Sequence, residues 1–155
     1  FESCVLKTMS HYGTTKSRDL TPYSTRSSIL SGTSLSEVMR GAHTVYNPIK
    51  HKTKRNPYIR SAYFKKEKVL FDFFWEHLSH KPPRERTERL KYFRAAIELI
   101  EQSRQAPISK LNPNKPTELL HRFAGLTRER LLFYVQIKET VSTGRKYFMS
   151  CFPPG

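Results

Sequence analysis

The sequence predicts an α+β fold in which helices come first and an antiparallel meander follows. Two observations carry that expectation. Apolar residues recur at helical spacing up to about residue 105, and beyond Pro116 the period switches to strand alternation. A length of 155 residues adds that one domain can bury a real core without disulfide staples.

Residues 1–37 are rich in Ser and Thr and read as a loosely structured arm or linker before a single basic domain over 38–155. Ser34 and Glu37 have capping-box spacing, so a short helix is expected there, ended by Gly41. The Tyr46–Arg60 segment contains Pro48 and Pro57 and is expected to be extended or looped. Between Lys65 and His80, Val69, Leu70, Phe71, Phe73, Phe74, Trp75 and Leu78 predict a helix buried on most of its circumference. Pro82 and Pro83 stop it. A second helix, to about Gln105, carries the stripe Leu90, Phe93, Ala96, Ile97 and Ile100. Pro107, Pro113 and Pro116 mark an irregular connection. Strands are expected at 119–124, 131–139 and 145–152, with Thr140–Gly144 as a hairpin loop in which Gly144 takes positive φ.

The formal net charge is +15, from 28 Lys and Arg against 13 Asp and Glu. Between Val38 and Lys66 there are eight basic residues and no acid: Arg40, Lys50, Lys52, Lys54, Arg55, Arg60, Lys65 and Lys66. One-sign surface of this kind suits a polyanion, because each neutralised phosphate releases condensed counterions. Tyr46, Tyr58, Tyr63 and Phe64 are interleaved with it, and exposed rings stack on unpaired bases. Lys50, Lys52, Lys54, Arg55, Arg60, Tyr63 and Lys146 are therefore the expected nucleic-acid contacts. No apolar run is long enough to span a membrane, and no signal-peptide pattern opens the chain. A first residue other than Met reads as a processed domain or a piece of a larger polypeptide. Cys4 and Cys151 lie near the two ends, and two free thiols in a reducing compartment are expected, which places the site of action in the cytoplasm.

Most common chemistries leave no trace. No phosphate-cradling glycine loop, C-x-x-C pair, H-E-x-x-H or G-x-S-x-G string occurs. His77 and His80 read as a helix terminus rather than half of a metal site, so neither a metal nor another cofactor is expected. What remains is basic and polar residues on strands. Leu131, Phe133, Val135 and Ile137 should face the core, and Leu132, Tyr134, Gln136 and Lys138 the other way. A register pairing Gln136 with Ser150 would join Tyr134, Gln136, Lys138, Lys146 and Ser150 in one polar face. A register one residue different would turn Ser150 to the core. An acid-poor face suits RNA cleavage by transesterification. The 2′-hydroxyl attacks the neighbouring phosphate, cations stabilise the phosphorane, and His or Tyr moves protons.

The order of a basic segment with RNPYI (Arg55–Ile59), two helices, LLHRFAGLTRERLLFYVQIKE (Leu119–Glu139) and GRKYFMSCF (Gly144–Phe152) resembles the phage- and toxin-associated branch of the barnase, EndoU, colicin and RelE-like nuclease superfamily. The resemblance covers roughly residues 46–152. It implies a metal-independent ribonuclease toxin domain, delivered within a larger polypeptide and matched by an acidic antitoxin or immunity protein. Carried over, the late-strand hydroxyl is Ser150 and the first-strand basic pair is His121 and Arg122. The basic segment would supply His51, Arg55 or Arg60. With Lys138 beside Arg122 holding the phosphate and His121 or His51 carrying the proton, the expected catalytic set is His121, Arg122, Lys138, Ser150 and His51. The chain departs from the family in having no evident catalytic Glu. A non-catalytic RNA- or DNA-binding module and a phage-like structural or interaction protein with an acidic partner are the competing readings.

Overall fold

Ser34 opens the first helix as its spacing with Glu37 predicts: its hydroxyl accepts from the Glu37 N–H at 3.3 Å. That helix, α1 (Leu35–Thr53), does not stop at Gly41 and runs through Pro48. A proline inside a helix removes a hydrogen bond and costs about 3 kcal/mol. The stripe Val38, Ala42 and Tyr46 is buried in the core, with Val45 and Ile49 packed against it, and burial of several such side chains at about 1.5–3 kcal/mol each offsets that cost. The looped reading of Tyr46–Arg60 is thereby corrected as far as Thr53. Lys54, with φ of 56°, ends the helix and its N–H returns to the Lys50 carbonyl.

The computed structural model describes residues 20–155, which hold four helices and seven strands. After α1 come β2 (Tyr58–Arg60), β3 (Lys68–Leu70), α2 (Phe74–Ser79), α3 (Pro83–Leu90) and α4 (Phe93–Gln102). The strands β4 (Ile108–Asn112), β5 (Lys115–Leu126), β6 (Leu132–Thr140) and β7 (Lys146–Phe152) follow, and β1 (Tyr23–Ser24) precedes everything. The α+β class holds. The sheet is mixed rather than a pure antiparallel meander, with order β1-β5-β6-β7-β3-β2 and β4 beside β1 on the same edge of β5. β1 is parallel to β5 and β3 is parallel to β7.

The single helix expected over 65–80 is instead a strand, a turn and six residues of helix. A continuous apolar run carries no period, so strand and buried helix look alike in sequence. The expected helix over 85–105 is broken at Lys91 and Tyr92. Hydrogen bonds from distant chain hold that break open: the Leu30 N–H donates to the Lys91 carbonyl at 2.9 Å, and the Cys151 thiol to the Arg89 carbonyl at 3.4 Å. Residues 20–34, part of the expected arm, make β1 and these cross-connections, including Arg26 N–H to the Glu98 carboxylate at 2.9 Å. Residues 1–19, with Cys4, lie outside the described residues. Gly144 adopts φ of 73° in the β6–β7 loop, as expected.

All four helices contribute to one core on one face of the sheet. Val38 and Tyr46, Phe74 and Leu78, Leu90, and Phe93, Ala96, Ile97 and Ile100 meet Phe123, Phe133, Val135, Ile137 and Phe148 there. Phe133, Val135 and Ile137 are fully buried, as their alternation predicts, whereas Leu131 falls before β6 and is exposed. The other face carries Leu120, Ala124, Tyr147 and Phe152, which are buried yet stand outside that core.

Candidate active site

Three central strands build the candidate site in one row. Arg122 on β5 pairs with Gln136 on β6, and Gln136 pairs with Ser150 on β7, all on the face away from the helical core. Arg122 Nη2 donates to Gln136 Oε1 at 3.3 Å. Arg89, the penultimate residue of α3, reaches Ser150 and donates from Nη1 to its Oγ at 2.9 Å, while Nη2 binds Glu85 at 2.8 Å. Aromatic rings frame both guanidinium groups. Arg122 lies 5.4 Å from the Tyr134 centroid and 5.0 Å from that of Phe152, and Arg89 lies 5.4 Å from Phe152.

The electrostatics of Arg122 set it apart. It is 3% exposed and no carboxylate pairs with it among the described residues; burial lowers its pKa from 12.5 to about 10, with Tyr134 opposing in part. Its Nε and the Nε2 of Gln136 are buried and donate to nothing. Every unused polar atom of this pair is therefore a donor. A buried cation with spare donors and no counter-charge suits an anion, and a planar guanidinium in particular matches phosphate geometry. The Ser150 hydroxyl accepts from Arg89, which leaves its own hydrogen to give.

Lys138 shares this face but is committed: its ammonium lies 3.2 Å from Glu118 Oε2 and 4.1 Å from the Phe73 centroid. Lys146 does not share it. The Gln136–Ser150 register is the one that was to gather Tyr134, Gln136, Lys138, Lys146 and Ser150, yet a bulge between Ser150 and Phe148 resets the alternation. Lys146 consequently turns to the helical side, opposite Glu139, where it is 6% exposed and bonded to Glu67 at 2.9 Å. It is a buried ion-pair partner rather than a surface contact.

His121 also faces the helical side, since neighbours on a strand point opposite ways. It and Arg122 cannot meet on one face. Ser109 Oγ lies 2.6 Å from His121 Nδ1 and Glu139 Oε1 lies 2.9 Å from Nε2, under the Phe64 ring. The neutral ring with its proton on Nε2 satisfies both contacts. Burial lowers its pKa below 6.5, against the opposing pull of Glu139. His51 sits with Lys50 and Lys52 in the exposed last turn of α1, where basic side chains also complement the helix dipole. Arg60 Nη1 is bound to the Lys66 carbonyl at 2.9 Å, and Tyr63 is 36% exposed with its ring against Phe64 and Phe123. Lys54 and Arg55 are exposed beyond the end of α1.

Arg89 was absent from the sequence-based set. Nothing in its helical spacing distinguishes it from the exposed Arg84, because its role depends on α3 lying against β7. Comparison of the chain with protein-family models, curated proteins and solved structures finds no match. Among the described residues no group of three or more His, Cys, Asp or Glu converges, and no helix is long and apolar enough to cross a membrane.

Proposed function

We propose that this protein is a ribonuclease that cleaves RNA by 2′-hydroxyl attack on the adjacent phosphate and requires no metal for it. The observation that carries the reading is the buried, carboxylate-free Arg122 in register with Gln136 and Ser150. Arg122 Nε, Gln136 Nε2 and the Ser150 hydroxyl hydrogen are the donors that phosphate oxygens would meet once the side chains covering this buried row move aside. Charge grows on those oxygens as the phosphorane forms, so donors in contact with them gain strength at that moment. Arg89, neutralised in part by Glu85, holds Ser150 in place. Lys138, neutralised in part by Glu118, flanks the row.

One observation favours a second reading, a binding module without chemistry. The nominated histidines are not on this face, so proton transfer falls to Tyr134, Lys138 or solvent.

The test is incubation of purified protein with total RNA in EDTA, with fragment ends mapped. Fragments with cyclic or 3′-phosphate ends, lost in Ser150→Ala and Arg122→Ala, are the expected result, each variant falling about tenfold to a thousandfold. Intact RNA with a salt-sensitive gel shift would replace the ribonuclease by the binding module. Full cleavage by an Arg122→Ala, Lys138→Ala double variant would end the assignment of this face.

A further inference from the structure

A cavity of about 500 Å³ opens beside the β2–β3 edge of the sheet, lined among others by Arg55, Tyr58, Lys68, Thr143 and Arg145. Three of these are cations, exposed and without a carboxylate partner among the described residues. The one acid in the lining, Glu67, is already bonded to Lys146 at 2.9 Å. The Lys68 ammonium is held 4.6 Å from the Tyr58 ring centroid, with Arg60 5.4 Å from the same ring. A cation seated on a ring loses less freedom when an anion arrives, and the ring does not neutralise it.

The cavity lies on a path from Arg122. On the Arg122 face, Lys138, Tyr147, Leu70 and Tyr58 form the next row, by direct register across β6, β7, β3 and β2. One row is about 7 Å along the strands and the four strand spacings from β5 to β2 are about 19 Å, so Arg122 and Tyr58 are roughly 20 Å apart. That separation spans about six nucleotides of a stacked strand at ~3.4 Å each, and fewer of an extended one.

We propose that Arg55, Lys68 and Arg145 clamp a backbone phosphate of single-stranded RNA about six stacked nucleotides, or fewer extended ones, from the one at Arg122, so that the ligand is a single strand longer than a dinucleotide. This rests on the ribonucleotide reading of the Arg122 face but not on cleavage there. A recessed pocket at a sheet edge admits a lone strand, whereas a duplex presents its phosphates on a wide, stiff cylinder.

The experiment measures binding of 2′-O-methyl oligouridylates, which lack the attacking hydroxyl, at two and eight nucleotides. The triple variant Arg55→Gln, Lys68→Gln, Arg145→Gln is set against a charge-matched control, Lys65→Gln, Lys66→Gln, Arg104→Gln. Wild type should prefer the octamer. The clamp triple should lose about tenfold to a hundredfold of that preference, and its slope of log affinity against log salt should fall by about two, at ~0.7 per lost single-strand contact. The control should lose less than threefold. Equal losses in the two triples would overturn the clamp in favour of diffuse charge, as would absence of any length preference in wild type or tighter binding of a blunt RNA duplex. A wild type that cleaves nothing yet keeps the length preference and loses it in the clamp triple supports the clamp while removing the ribonuclease.

Discussion

Replacing Arg122 with Met should leave the fold about as stable as wild type and remove the function. Lowering a guanidinium from 12.5 to about 10 corresponds to roughly 3 kcal/mol held against its charged form at 1.36 kcal/mol per pKa unit. Arg122 is 3% exposed, so solvent screens little of this. Losing the 3.3 Å bond leaves Oε1 of the fully buried Gln136 unsatisfied and costs about 2 kcal/mol. The two cation–ring contacts are worth about another 1 kcal/mol, and thioether contacts with Tyr134 and Phe152 recover part of it. These contributions nearly cancel, so the net expectation is a stability within about 1 kcal/mol of wild type, or roughly 2–4 °C in Tm for a chain of this size. Urea and thermal unfolding, run beside the RNA cleavage assay, measure both halves. Inorganic phosphate supplies a third readout. At ten times its Kd it should stabilise wild type by about 1.4 kcal/mol and Arg122→Met by far less. A variant destabilised by more than about 1 kcal/mol that still cleaves RNA at the wild-type rate would refute the view of Arg122 as an unsatisfied anion ligand.

Gly125→Ala tests the β5 contact with the helices. An added Cβ would meet Phe133 Cζ at 2.5 Å and Leu99 Cδ1 at 2.7 Å, so a loss of about 1–3 kcal/mol in urea unfolding is expected; wild-type stability would show that Leu99 and Phe133 can move apart. Acid should weaken the fold through His121, which is buried, and His77, which is half-buried. Burial lowers His77 from 6.5 to about 4 and holds His121 below 6.5, so the unfolded chain takes up these protons first. Stability is then whole above pH 6.5 and falls towards pH 4, by about 1–2 kcal/mol for His77, since solvent screens part of its shift. His77→Gln should flatten the urea midpoint over that window, and an unchanged slope would assign the acid loss to carboxylates.

The local signals that proved legible are those fixed within a few residues. The Ser34–Glu37 cap, the positive φ at Gly144, and the alternation of Phe133, Val135 and Ile137 all follow from short-range geometry. So did the separation of charge that leaves 38–66 without an acid. The β4 strand was hidden between Pro107 and Pro113, and β2 and β3 by their length of three residues, because such pieces are strands only through their neighbours.

What tertiary structure alone decided concerns faces and edges. The sequence put Arg122, Gln136 and Ser150 on strands but left their register open, and two registers differ by a full reversal of every side chain. The three-dimensional pairing brings them into one row. A single bulged residue, Met149, then sends Lys146 to the opposite face from Ser150, although plain alternation would keep them together. Arg89 joins the row only because α3 lies against β7, a contact between residues 61 apart in the chain. Composition determined that this protein carries excess positive charge. Which cation is buried without a counter-charge was set by packing, because desolvation depends on what surrounds a group and not on what precedes it in sequence.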